Sequence, residues 1–175
     1  IFGTRAITVD NARMLIRLVI AILLCSSAHA APPMLNDQFG VAGGLDDFSN
    51  SAVLAIVVSS RKLRWIGKWE DALRPQYPTL RSIRIADLDE RDKPHADDVA
   101  KALRKRAPAD APVYIDPADL WSSEYDLDTS EPCLLLLDPD HRVVARFRGR
   151  PKGELVSEVL AALGPWFGDA GATQP

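Results

Sequence analysis

The side chains that could do chemistry in this sequence are few: two cysteines, three histidines and two clusters of charge. A thiol at Cys133 would serve as nucleophile or reductant only if its pKa were lowered. It opens a run of four leucines with no histidine beside it, so inert burial is the expectation. His95 and His141 are far apart with a single cysteine between them, a spacing that fits no zinc site, and no metal is expected. The acidic stretch Asp87-x-Asp89-Glu90-x-Asp92 lacks the glycine and the closing glutamate of an EF-hand loop and reads as solvated surface. The basic cluster Arg61, Lys62, Arg64 and Lys68 would hold an anion if it surrounded the start of a helix; a solvated loop is the plainer alternative. No glycine-rich phosphate loop and no nucleophile elbow occur, and no cofactor is expected.

Around Cys25 the sequence reads as an export signal. Met14-Leu15-Ile16-Arg17 leads into the apolar run 18–25, and Ala28-His29-Ala30 supplies a small-x-small cleavage site. That run is shorter than the roughly 20 residues a membrane span needs, so no permanent anchor is expected after cleavage. Residues 1–13 read as an upstream leader outside the fold, 14–30 as a signal peptide, and the destination as periplasmic or secreted. Cleavage would leave one thiol, which rules out an internal disulfide. The net charge of −3, with basic and acidic residues interspersed, argues against a nucleic-acid partner.

The elements that must position these residues follow from period and punctuation. Residues 31–51 show no sustained period and read as an extended lead-in, 52–167 as one domain, and 168–175 as a disordered tail. The wholly apolar run 52–58 predicts a central strand buried on both faces. A helix shortened by Pro75 and Pro78 follows, and then the alternating strand 82–88. A helix behind Pro94, a short strand at 112–117 and a short helix at 120–128 come next. Cys133 to Leu137, the turn Asp138-Pro139-Asp140-His141 and residues 142–148 predict a hairpin, followed by a helix that Gly164-Pro165 should stop. This order predicts an α/β domain, a mixed sheet with helices on both faces.

The stretch from Val113 through Tyr125 and Glu131-Pro132-Cys133 to Val144 resembles the second half of thioredoxin-like proteins of the peroxiredoxin and TlpA kind. That resemblance implies a three-layer thioredoxin-like fold with Pro132 as a cis-proline. It puts His141 where the family has glycine, at a turn position that favours a left-handed backbone. It also implies a reactive thiolate at the head of the first helix, yet Ser59 to Trp69 contain no cysteine, which excludes dithiol exchange by the usual route. Redox members pair an extended peptide with the loop before the cis-proline. Glu131, Pro132 and Cys133 would form that surface here, with Trp65, Arg61, Lys62 and Arg64 beside it. The implied partner is an extended peptide or protein in the cell envelope. A divergent thiol oxidoreductase or peroxidase using Cys133, or a structural part of an envelope complex, are the alternatives.

Overall fold

The computed structural model describes residues 34–88, 95–105, 107 and 110–168. The expected leader, signal, cleavage site and tail beyond Gly168 lie outside these, as do Asp89, Glu90, Asp92 and Pro94.

Seven strands form one mixed sheet: β1 (Leu35–Asp37), β2 (Ala42–Gly43), β3 (Val53–Ser59), β4 (Ser82–Asp87), β5 (Tyr114–Asp116), β6 (Cys133–Leu137) and β7 (Val143–Arg148). Their order across the sheet is β2-β1-β5-β4-β3-β6-β7. β3, β4 and β5 run parallel, with β6 antiparallel to β3 and β7 antiparallel to β6. Every residue of β3 is buried, because the sheet is covered on both sides. Leu54, Ile56 and Val58 enter one apolar cluster while Val53, Ala55 and Val57 enter the other, the period-two alternation of a strand.

Three helices pack on the first face: α1 (Arg64–Leu73), α2 (Ala96–Arg104) and α4 (Gly153–Phe167). α1 turns Trp65, Ile66, Trp69 and Leu73 inward at helical spacing, and the chain leaves the helix just before Pro75. The opposite face is covered by α3 (Leu120–Glu124), whose Trp121 packs on Tyr125 with ring centroids 5.1 Å apart. Trp69 and Trp121 are both fully buried. Each contributes on the order of 4–6 kcal/mol of apolar burial before entropy is counted.

Two expectations about elements need correction. Where a lead-in is expected, the described residues 34–51 hold more: β1 and β2 form a hairpin that pairs with β5 and extends the sheet, followed by a short 3-10 turn (Leu45–Phe48). Gln38, buried in its turn, fastens this hairpin by accepting the Val113 N–H at 2.7 Å through its side chain and Arg104 Nη1 at 2.9 Å through its carbonyl. The last helix also runs past Gly164-Pro165 to Phe167. A proline one turn from the end deletes a single backbone bond, and Phe167 gains an edge-on contact with Tyr77 at 6.4 Å.

Among the described residues no helix is long and apolar enough to cross a membrane.

Candidate functional site

Strand register gathers polar residues at one end of the sheet. Ser59, Asp87 and Asp116 are direct neighbours at the carboxyl ends of β3, β4 and β5, where open α/β sheets bind ligands. β6 runs the other way, so Cys133, opposite Val57, starts at the same end. The loop 126–132 therefore lies beside the head of α1.

Asp87 is 5% exposed, which corrects its expected place on a solvated acidic surface. It continues the face of β4 on which Ile83 and Ile85 share an apolar cluster with Trp121 and Tyr125. Thr129 Oγ1 donates to its Oδ2 at 2.7 Å, whereas the buried Oδ1 has no donor. Burial pushes its pKa up to about 6; the Thr129 hydroxyl opposes that rise, and the carboxylates of Asp116 and Asp119 add to it. Asp119 can share a hydrogen bond with Asp87 only when one of the two carboxyls holds a proton. Asp116 acts on the backbone instead, where its oxygens accept the N–H groups of Ala118, Leu120 and Trp121 and so fasten the start of α3.

Cys133 is 3% exposed. Its Sγ lies 3.3 Å from the Asp128 carbonyl and 3.5 Å from that of Glu131. Burial raises the thiol pKa above its ordinary value; Arg148 pulls it down, and Asp128 and Asp87 push it further up. A shielded, protonated thiol is a poor nucleophile. Pro132 differs from its expected isomer, since none of the described peptide bonds is cis. The intrinsically favoured trans form already lets the Pro132 carbonyl accept the Gly149 N–H at 2.8 Å.

Of the residues expected at a peptide surface, Glu131 is tied to Arg150 through two contacts of 3.4 Å. Arg148 pairs with Asp128 and also donates to Ser130 Oγ at 2.7 Å. Trp65 is 9% exposed beneath Arg64, Lys68 and Arg150, whereas Trp69 is fully buried and donates its indole N–H to the Gly149 carbonyl at 3.1 Å. Arg61 and Lys62 fall in a 3-10 turn directly before α1. The structure thus brings Glu131, Trp65 and Arg64 into one neighbourhood; Pro132, expected on the peptide surface, is buried behind it together with Cys133, its carbonyl already taken by the Gly149 N–H. Sequence reasoning misses Arg150 because nothing near it in the chain signals its approach to Trp65. It misses the pairing of Asp87 with Asp116 although both end short apolar strands on an aspartate, a pattern open to inspection. Among the described residues no three His, Cys, Asp or Glu side chains are grouped to hold a metal ion.

No family model and no curated protein matches the chain. Solved structures do resemble it. A secreted thiol-disulfide isomerase from Corynebacterium glutamicum superposes with TM-score 0.57 and 17% identity, over 79% of this chain and 84% of that one. An exposed lipoprotein thioredoxin of Streptococcus pneumoniae gives 0.56 and 15%, over 76% of this chain and all of its own length. Yeast Sco1 gives 0.58 and 13%, over 81% and 97%. Together with the mixed sheet, the site at the carboxyl ends of its parallel strands and the terminal hairpin and helix, these superpositions show that the chain has the thioredoxin-like fold.

Proposed function

We propose that this protein is an exported thioredoxin-like module that holds an extended peptide or protein segment at the Glu131–Pro132 loop and performs no dithiol exchange. The observation that carries the proposal is a substitution of chemistry at one place. Where the fold would seat a thiolate, at the head of α1, the chain has Ser60, Arg61, Lys62 and Arg64. The described thiol, Cys133, is buried with a raised pKa. Peptide capture by backbone pairing needs no reactive side chain, only an accessible extended loop. Export rests on the signal pattern at residues 14–30, and the secreted or exposed description of two structural neighbours supports it.

The test is fluorescence anisotropy of labelled, extended decapeptides against the chain and two variants whose folding is checked by melting. Glu131→Pro removes a backbone donor from the loop and Pro132→Ala loosens it. Affinity should fall about fivefold or more in each, as expected when backbone pairing supplies the binding. Unchanged affinity in both folded variants would place the site elsewhere.

A further inference from the structure

Three cations converge on one indole. Lys68 Nζ lies 4.7 Å from the centre of the Trp65 ring, Arg150 Cζ 5.1 Å and Arg64 Cζ 5.2 Å. Arg64 and Lys68 stand one helical turn apart on α1, while Arg150 arrives from the chain just beyond β7. Its position is fixed through Gly149, which donates to the Pro132 carbonyl and accepts from the Trp69 indole. The cation cluster therefore adjoins the accessible part of the loop, Ser130 and Glu131, with Pro132 buried beneath.

Its charge is poorly balanced. Attraction to the ring face offsets part of the mutual repulsion of the three cations. The carboxylate at hand is Glu131, 3.4 Å from Arg150 through each oxygen, a long and exposed pairing. Among the described residues neither Arg64 nor Lys68 has a carboxylate partner.

We infer that the segment held at this loop is acidic, with carboxylates at alternate positions that Arg64, Lys68 and Arg150 take up; the inference rests on the peptide-binding proposal above. An extended strand sets alternate side chains on one side about 6–7 Å apart, so an acidic strand laid along the loop turns a row of carboxylates toward one side. Glu131 is a placeholder on Arg150 that an incoming carboxylate displaces. Complementary charge of this kind sets specificity and weakens with salt.

The experiment uses three labelled decapeptides that differ only in carrying Glu, Gln or Lys at alternate positions, measured by anisotropy at about 50 and about 300 mM salt. The Glu peptide should bind about tenfold more tightly than the Gln peptide, with the preference shrinking at the higher salt. Arg64→Glu with Lys68→Glu, both at exposed positions, should reverse the preference toward the Lys peptide. Glu131→Gln should tighten the Glu peptide about two- to threefold by freeing Arg150. Equal binding of the Glu and Gln peptides would overturn the acidic preference while leaving peptide capture standing. Binding of none of the three would overturn both, and a preference for the Lys peptide would overturn the inference directly.

Discussion

Replacing Asp87 with asparagine should stabilise the domain at neutral pH and lose most of that advantage in mild acid. The carboxyl is buried, its pKa is pushed from 3.8 to about 6, and its Oδ1 has no donor. Because the folded state holds the proton more tightly than the unfolded chain, protonation stabilises the fold. Stability from this group is therefore fully present below about pH 4 and declines as pH rises through about 6. A difference of about two pKa units amounts to about 3 kcal/mol of penalty at pH 7.5 and about 1 kcal/mol at pH 4.5. Asparagine abolishes the ionisation and can still accept from Thr129, at the loss of about 1 kcal/mol as a charge-assisted bond becomes a neutral one. The variant should thus gain about 1–2 kcal/mol at pH 7.5, and its margin over the parent should narrow by about 2 kcal/mol at pH 4.5. Urea unfolding followed by tryptophan fluorescence at the two pH values measures both quantities. A margin that does not change with pH, or an asparagine variant less stable at pH 7.5, would refute the buried-carboxyl argument.

His141 sits at φ 62 in a turn whose hydrogen bonds repeat those of the Asp37–Val41 turn, where Gly40 holds the same position at φ 82. His141→Gly should therefore add about 0.5–1 kcal/mol and raise Tm by about 2–3 °C in a melting experiment; a fall in Tm would contradict this. In a Cys25→Ser background, native protein at pH 7 should leave Cys133 unlabelled by iodoacetamide while unfolded protein is labelled fully. Labelling of the folded protein at the rate of a free thiol would contradict the buried, protonated state of Cys133.

The hairpin β6–β7 and the buried strand β3 are legible in the sequence because each is a long apolar or alternating run with clear punctuation. The β1–β2 hairpin is not, because strands of three and two residues show no period, although Asp37-x-x-Gly40 carries the same turn chemistry as Asp138-x-x-His141. The end of the last helix is misplaced by sequence because a local stop signal competes with a tertiary contact, Phe167 on Tyr77. The site is legible only in part. Arg64 and Lys68 are neighbours on any helix drawn through them, but Arg150 joins them through sheet order and the Gly149 bridge. The Ser59, Asp87 and Asp116 row depends on parallel register, which no single segment encodes.

Peptide capture without redox exchange is decided by a backbone-amide NMR titration of the reduced chain with a Glu-alternating peptide that also carries an internal disulfide. Binding without exchange predicts shifts at Ser130, Glu131, Gly149 and Arg150 while the peptide disulfide stays intact. Opening of that disulfide to a mixed disulfide with Cys133, which releases the peptide's second thiol, or shifts confined to the β1–β2 edge, would contradict it.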